Sequence, residues 1–348
     1  MSAFERRISV AADASADFRT IGEALASLPP DEAGANSDAA GGGTDGNAAA
    51  TIISIAAGSY HEKLRVLNRR VSLEGAGRDA TIISWDDHAL RALPSGEPMG
   101  TFNSSTLYVG GEDFRARNLR IENAAGNGRL VGQAVACYVD ADRAAFADCS
   151  FSARQDTLCL GPLPTNPLPK GLNPVHPVHI AREGDEERPF RHWFKRCRVE
   201  GDIDFIFGSS TALFDACDIV SLDRGEKVNG YITAPSTLPG QRYGFVFIDC
   251  RIEGETAAGS VFLGRPWRSS AKAAFLRCEM GRHISAAGWD NWDKPENEAS
   301  VEFVEFGNHG PGAPASGRVP WARVLSGEES IRFSPEAILS GSDGWEPW

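Results

Sequence analysis

The chain has 348 residues, of which 42% are hydrophobic and 24% are charged, and its formal net charge is −12. This composition is that of a globular protein with one large core or two ordinary cores. The negative charge argues against a nucleic acid partner, because phosphate backbones are bound through clustered Lys and Arg. No long apolar run predicts a membrane span, and the opening MSAFERRISV lacks the apolar core of a signal peptide. We therefore expect no membrane partner and a cytoplasmic location, or secretion if a leader has been removed.

The first predicted element is a short helix in DFRTIGEALASLPP. Asp17 is placed to cap it, Ile21, Leu25 and Leu28 share one face, and two prolines end it. Such a helix would cover the open end of a stacked sheet. The following segment 31–50 is of low complexity and is predicted to be a flexible loop.

Five segments then share the pattern Phe-x-x-Cys-x-apolar, and their spacings of 48, 20, 33 and 28 residues vary. Variable spacing fits coils of one stacked unit with loops of different length between strands. We interpret each copy as a strand with one buried face, so that equivalent Phe and Cys side chains form internal ladders. The prediction is one all-β domain over 1–348, a parallel β-helix whose repeats begin near Thr51. A β-sandwich is the alternative, but it does not predict a fixed offset from Phe to Cys.

The seven cysteines are odd in number and contain no CxxC pair, so they indicate neither a zinc site nor a full disulfide set. We expect them to be reduced and mostly buried. The spacing of His176 and His179 could suit a metal, but histidines in a Pro-rich loop are more typical of solvated polar groups. The sequence therefore predicts no metal and no cofactor.

Two aspartates have the same offset from the repeated cysteine: Asp156 lies seven residues after Cys149, and Asp204 lies seven residues after Cys197. If the Pro-rich segment 161–189 is a loop insertion, the two carboxylates lie on adjacent coils whose backbones are about 4.8 Å apart. At roughly 5 Å and an effective dielectric of about 20 they repel by about 3 kcal/mol, so one should stay protonated near neutrality. A protonated acid beside a carboxylate suits acyl or glycosyl transfer.

Gln133 lies about one coil before Asp156 and is expected on the same surface. The simpler alternative is that the two aspartates are merely exposed strand residues. No GxSxG motif occurs, so a serine nucleophile elbow is not predicted.

At these residues a family resemblance is visible. In order, QAVACYVDADRAAFADCSF, QDTL, GDIDFIFGSSTALFDAC, LGRPW and GWDNW resemble the motif series of the pectin methylesterases, of the bacterial type. The resemblance runs from DFRTIGEAL to the closing LSGSDGW. It implies a right-handed parallel β-helix that hydrolyses the galacturonate methyl esters of pectin or oligogalacturonides and releases methanol.

Carried over motif by motif, the resemblance implies a role for each residue of the site. Asp204 would be the nucleophile, and Asp156 the general acid and base. Gln133 and Gln155 would be the oxyanion donors, and Arg265 would orient Asp204.

Four further residues are expected to contact the substrate: Thr101, Phe207, Trp267 and Trp289. The two tryptophans are expected to stack on sugar rings, with packing in the core as the alternative. Phe207 is expected to point outward beside Asp204, because the alternation of faces slips where the strand ends at FIFG.

The chain departs from the family where Arg154 and Cys159 replace two usual tyrosines. An arginine there would favour neighbouring free carboxylates, and the loop 161–189 would wall one side of the cleft and limit substrates to chain ends or short oligomers. The alternatives are a β-helical pectate lyase, which needs a carboxylate cage for Ca²⁺, a polygalacturonase, and a non-catalytic polysaccharide-binding β-helix. We expect a monomer.

Overall fold

The computed structural model describes residues 5–29, 50–165, 167–169 and 177–346. Within these ranges the strands form three parallel sheets, and the chain passes from sheet to sheet so that a typical coil adds one strand to each. This arrangement confirms the predicted all-β parallel β-helix. No helix in these ranges is long and apolar enough to cross a membrane. The predicted loop 31–50 lies, except for residue 50, outside the described residues, as does His176.

The three sheets differ in length along the stack. In the described residues the 11-stranded sheet contains Arg6–Val10, Thr51–Ile55, Val71–Glu74, Arg115–Arg117, Ala144–Ala147, Arg191–Lys195, Thr211–Asp215, Phe245–Ile248, Lys272–Leu276, Glu302–Phe306 and Arg323–Val324. The 8-stranded sheet there contains Gly58–His61, Thr81–Trp85, Arg120–Asn123, Ser150–Ser152, Arg198–Gly201, Asp218–Ser221, Arg251–Gly254 and Glu279–Met280. The 7-stranded sheet there contains Leu64–Val66, Leu107–Val109, Cys137–Val139, Leu158–Leu160, Ile203–Gly208, Gly230–Pro235 and Val261–Gly264.

Helices are short and lie outside the sheets. The α-helices of the described residues are Ile21–Ala26, Gly128–Val131, Gly327–Ser330 and Pro335–Leu339, and the 3₁₀ helices are Thr101–Asn103, Pro295–Ala299 and Ala315–Gly317.

A ladder of phenylalanine rings fills the interior. The ring centres of neighbouring coils are 4.9, 4.7, 4.5 and 4.3 Å apart, and the ring planes are within 8° of parallel. These spacings match the distance between hydrogen-bonded strands, about 4.8 Å, because each ring rests on the equivalent ring of the coil below. The predicted ladder is confirmed, and its members are Phe146, Phe194, Phe214, Phe247 and Phe275.

The repeated motif is a corner, whereas we predicted a single strand. In each copy the strand of the 11-stranded sheet ends just after Phe, and a strand of the 8-stranded sheet begins just after Cys. Between them one residue turns the chain with a positive φ of 51° to 54°, in the left-handed region. The prediction of a single strand was wrong because the Phe before the turn and the Cys and apolar residue after it all face the interior. The apolar pattern therefore continues across the turn as it would along one strand. The turning residues are Asp148, Arg196, Ala216, Asp249 and Arg277.

The cysteines of the corners form a second ladder. All seven cysteines are buried and free, as predicted. The Cys217 thiol donates to the backbone oxygen of Phe194 at 3.2 Å, and the Cys250 thiol donates to that of Phe214 at 3.3 Å, so each contact reaches back one coil. Small thiols with a weak donor fit this tight corner.

The N-terminal helix Ile21–Ala26 exists as predicted, but its cap differs. Thr20 is the N-cap and forms a capping box with Glu23, while the Asp17 carboxylate accepts hydrogen bonds from Ser9. Threonine three residues before a glutamate satisfies two helix-end donors at once, which Asp17 is too far away to do. The buried Ile21 joins the core at this end.

The stack begins earlier than the predicted start at Thr51. Arg6–Val10 pairs in parallel with Thr51–Ile55, so one strand of the 11-stranded sheet precedes the long segment 31–50.

Candidate active site

The 7-stranded sheet brings the two predicted carboxylates together. Leu158 pairs with Ile206 in adjacent parallel strands, and the backbone N–H of Asp156 donates to the oxygen of Ile203 at 3.0 Å. Asp156 and Asp204 therefore occupy equivalent places on neighbouring coils. The two residues are only 9% and 7% exposed.

Both aspartates have backbones in the left-handed region, with φ of 66° for Asp156 and 48° for Asp204. This region costs energy for residues other than glycine, and it persists where the surrounding structure imposes it. The strand of Asp204 also contains a bulge, because its pairing with Gly230–Pro235 shifts between Ile203 and Ile206.

The bulge determines which side chains of this strand point into the core and which point to the outer face of the sheet. Two consecutive residues, Phe205 and Ile206, point into the interior, whereas Phe207 packs in a separate cluster on the outer face of the sheet. The predicted slip in alternation is therefore present, and Phe207 lies on the outer face of the strand that carries Asp204.

Arg265 holds Asp204 with two parallel hydrogen bonds: Nε donates to Oδ1 at 2.9 Å, and Nη2 donates to Oδ2 at 2.7 Å. The guanidinium carbon also lies 3.8 Å from the ring centres of both Tyr231 and Trp292. Bidentate pairing and contacts with aromatic faces fix the plane of the guanidinium. The sequence motifs do not predict Tyr231, and of the two tryptophans in GWDNW it is Trp292, not the predicted Trp289, that contacts Arg265.

Asp156 and Asp204 lie in different environments, and these environments shift the pKa values of the two carboxyl groups to different extents. Burial raises the pKa of Asp156 well above its usual range, the charge of Asp204 raises it further, and Arg265 opposes both. Burial also raises the pKa of Asp204, but the hydrogen bonds and charge of Arg265 counteract this effect directly. Because Arg265 donates its two hydrogen bonds to Asp204 and none to Asp156, Asp204 is the member of the pair that ionises first.

The two glutamines flank the carboxylates. The backbone N–H of Ala134 donates to the oxygen of Gln155 at 3.1 Å, which places Gln133 and Gln155 on neighbouring coils. A Cβ built on Gly128 would lie 3.1 Å from Gln155 Oε1, so the Gln155 side chain rests against the short helix there. Both residues are partly exposed.

Trp267 and Phe207 pack against each other on the outer face of the sheet, with their ring centres 5.9 Å apart and the rings edge to face. Phe207 is in the same strand as Asp204. Thr101 begins the 3₁₀ helix Thr101–Asn103. Its neighbour Gly100 is linked to Gln133 through Ala89: the Gly100 N–H donates to the Ala89 oxygen, and the Ala89 N–H donates to the Gln133 oxygen.

Trp289 is part of the core, so its predicted role as a sugar-stacking surface is wrong. It is 1% exposed, its ring lies 4.3 Å from that of Phe303 and 5.7 Å from that of Phe275, and its Nε1 donates to Glu305. Phe275 is the last phenylalanine of the repeated motif. Beyond it, towards the C-terminal end, the Trp289 indole lies edge to face with Phe275 and stacks on Phe303. Trp292, three residues later, is the tryptophan of this segment that reaches the site.

The described part of the loop 161–189 covers the outer face of the 7-stranded sheet. Leu163 is fully buried there, and Val178 packs against the same cluster. Arg268 Nη2 donates to the oxygen of Pro167, which ties the loop to the Trp267 side of the site. His179 binds the buried Asp140 through its backbone N–H at 2.7 Å.

Comparison with known proteins places this site in a family. The family model "Pectinesterase" matches residues 7–161 and 187–342. Pectinesterase 31 of Arabidopsis thaliana is 32% identical over 99% of this chain and 95% of its own length. The chain belongs to the pectinesterase family. It is an enzyme of the carboxylic ester hydrolase class, and it hydrolyses pectin methyl esters.

Solved pectin methylesterases share the right-handed β-helix along the whole chain. The enzyme PemA from Erwinia chrysanthemi is 28% identical with a TM-score of 0.76, and the alignment covers 100% of this chain and 99% of that one. The carrot enzyme is 29% identical with a TM-score of 0.73, over 95% and 92% of the two chains. A further pectin methylesterase, crystallised with a hexasaccharide, is 28% identical with a TM-score of 0.76 and 98% coverage of each chain. The family model leaves 162–186 unmatched, which is nearly the whole predicted insertion of this pectinesterase.

Proposed function

We propose that this pectinesterase cleaves the galacturonate methyl ester by covalent catalysis, with Asp204 as the nucleophile and Asp156 as the general acid and base. One observation carries the proposal: a buried carboxylate held by Arg265 lies beside a second buried carboxyl group whose pKa is raised by burial and by that charge. The first group is suited to attack and the second to give up a proton.

In the first step an oxygen of the Asp204 carboxylate attacks the ester carbon, and the carbonyl oxygen becomes an oxyanion. Side-chain amides of Gln133 and Gln155 are the proposed donors to that oxyanion. In the described part of the chain neither amide group has a hydrogen-bond partner, so their N–H groups are available to a ligand. A preorganised donor of this kind contributes about 3 to 4 kcal/mol to transition-state stabilisation.

In the second step the oxyanion collapses, the bond from carbon to the methoxy oxygen breaks, and Asp156 protonates that oxygen to release methanol. An anhydride between Asp204 and the galacturonate carboxyl group remains. Asp156, now ionised, takes a proton from water, and the resulting hydroxide attacks the anhydride carbon. This step breaks the anhydride bond to Asp204 and leaves a galacturonic acid group, which loses its proton to solvent and becomes a carboxylate. Asp204 is then an ionised carboxylate and Asp156 is protonated again for the next cycle.

Trp267, Phe207 and Thr101 are proposed to contact the sugar rings. Trp267 and Phe207 pack together on the outer face of the sheet that carries the carboxylates, and Thr101 follows Gly100, which is linked through Ala89 to Gln133. The loop 161–189 is proposed to limit the substrate to chain ends or short oligomers, since its described part lies over that face and contacts Arg268.

We add inferences about the type of enzyme, its oligomeric state and its partners. We infer a pectinesterase of the bacterial type, supported by the full-length overlap with the Erwinia enzyme. We also infer that the enzyme acts as a monomer and has no nucleic acid or membrane partner. The net charge of −12 supports the absence of nucleic acid.

The reaction class is tested with highly methylated pectin as the substrate. We expect methanol to accumulate in step with titratable acid, while reducing ends and absorbance from unsaturated uronates stay constant. A polygalacturonase would create reducing ends, a lyase would create double bonds, and a binding protein would release nothing. Any of these three outcomes contradicts the proposal.

The pH dependence tests the role of Asp156. Asp156 must be protonated in the free enzyme, so kcat/KM should fall on the alkaline side as it ionises. The charge of Asp202 contributes to raising the pKa of Asp156, so Asp202→Asn should move the alkaline limb to lower pH. Asparagine keeps the hydrogen bond that Asp202 Oδ1 accepts from the Ile203 N–H at 2.7 Å.

The matched control for this pH experiment is Asp223→Asn, because Asp223 is exposed and the Arg154 guanidinium contacts only its backbone oxygen. The control should leave both limbs in place. An alkaline limb that stays put or moves upward in the Asp202 variant contradicts the assignment of Asp156 as the acid.

A further inference from the structure

A buried asparagine, Asn123, joins three chain segments close to Gln133. It ends a strand of the 8-stranded sheet and is 5% exposed. Its Nδ2 donates to the backbone oxygens of Asp87 at 2.8 Å, Val135 at 3.0 Å and Ser104 at 3.1 Å. The amide has two N–H bonds, so one of them is shared between two acceptors. In the described part of the chain, all hydrogen bonds of this side chain are to backbone groups.

The backbone that carries Gln133 is irregular. Gln133 lies between the end of a short helix and the start of the next strand, and it follows Gly132, whose φ of 74° is in the left-handed region. A residue outside a sheet has no regular ladder of hydrogen bonds to fix its position, so contacts from side chains must supply part of them. Ser104 supplies one, because its Oγ accepts from the Val135 N–H at 3.1 Å and donates to the Thr101 oxygen at 2.6 Å.

Asn123 makes a second connection at the same place. The Gln133 oxygen accepts from the Ala89 N–H at 2.8 Å. Asp87 lies two residues before Ala89, and Val135 lies two residues after Gln133. The Asn123 amide therefore holds both sides of this contact. Loss of the amide removes the connection and takes a donor away from buried backbone oxygens, so we expect the backbone at Gln133 to shift.

An oxyanion donor acts only when its N–H group lies within hydrogen-bond range of the place where the negative charge develops. A shift of about 1 Å in such a group can cost about a hundredfold in rate. We propose that Asn123, together with Ser104, is a positioning residue that holds Gln133 in place for the oxyanion. Asn123 acts through backbone contacts and not on the substrate itself. This inference rests on the proposed role of Gln133 and names a further residue on which that role depends.

A double-mutant cycle separates positioning from general support of the fold. The variants are Asn123→Ala, Gln133→Ala and the double variant, and kcat and KM for methanol release from methylated pectin are measured for each. We expect Gln133→Ala to lower kcat by about 10²- to 10³-fold. Asn123→Ala should lower kcat by about tenfold and leave KM within about twofold of the parent value. In the Gln133→Ala background, Asn123→Ala should change kcat by less than about twofold, because the group that it positions is absent.

Gln241→Ala is the matched control. Gln241 is fully buried, and its Nε2 also donates to backbone oxygens, those of Tyr243 at 2.7 Å and Ser209 at 3.0 Å. This change therefore removes a buried amide donor, as Asn123→Ala does, but in the connection that leads to a strand of the 11-stranded sheet. It should lower the melting temperature while kcat stays within about twofold of the parent value. Circular dichroism establishes that each variant is folded before rates are compared.

The outcomes separate this inference from the proposed function. If Asn123→Ala keeps the parent kcat, or lowers kcat equally with and without Gln133, the inference is wrong and the proposed function stands. If Gln133→Ala keeps the parent kcat, Gln133 is not an oxyanion donor, and its proposed role fails together with this inference.

A second variant covers the case in which Asn123→Ala does not fold. Ser104→Ala removes the side-chain acceptor of the Val135 N–H and takes the place of Asn123→Ala in the cycle. A loss of kcat that is seen only when Gln133 is present supports the inference. Equal losses in both backgrounds, or an unchanged kcat, overturn it.

Discussion

Replacement of Asp204 by asparagine is expected to lower kcat for methanol release by about 10⁴-fold or more, since loss of a covalent nucleophile removes the main catalytic route. The amide is close in size to the carboxylate and can still accept a hydrogen bond from Arg265, so the change removes chiefly the charge and the nucleophilic oxygen. Binding of the substrate should change far less than kcat. Methanol release under saturating methylated pectin measures the effect.

A matched control for this change lies at a corner of the same β-helix. Asp148 also has a positive φ, of 54°, and also accepts two parallel hydrogen bonds from an arginine, Arg196, at 2.8 and 2.7 Å. Asp148→Asn therefore removes a doubly hydrogen-bonded carboxylate at a positive φ, in a more exposed ion pair away from the 7-stranded sheet. It should leave methanol release near the parent value. Equal activity of the Asp204 variant and the parent would rule out Asp204 as the nucleophile.

The fold was predictable because the repeat contains a large side chain, Phe, and a rare one, Cys, at a fixed offset. The recurring Phe and Cys mark equivalent places on successive coils, and the ladders they predict are present. The corner between them was not predictable from alternation. Its left-handed residue is Asp, Arg or Ala in different copies, and these side chains carry no common signal for a positive φ.

The carboxylate pair was found by the same phase argument, since Asp156 and Asp204 keep one offset from the repeated cysteine. What the sequence could not indicate is the backbone that turns them outward. A positive φ at two aspartates and a bulge of one residue are imposed by the neighbouring coils. For the tryptophans of GWDNW, the sequence gives no coil register beyond the last repeat, so Trp289 was wrongly chosen over Trp292.

The aromatic ladder should carry a large share of the stability. Phe247 is fully buried, with the rings of Phe214 at 4.5 Å and Phe275 at 4.3 Å. Phe247→Ala leaves a cavity between two coils that are joined by sheet hydrogen bonds and cannot close it. We therefore expect a loss of about 3 to 5 kcal/mol in the free energy of unfolding. The shift of the denaturant midpoint, followed by circular dichroism, measures this loss.

Phe190→Ala serves as the comparison, because the Phe190 ring is only partly buried and lies against His179 outside the interior stack. Its loss should be clearly smaller, since less apolar area returns to water and no enclosed cavity forms. The site is built on the coils that this ladder joins, so the Phe247 variant should also lose methanol release at temperatures where the parent is still active. If the two variants unfold at the same denaturant concentration, the ladder is not what holds neighbouring coils together.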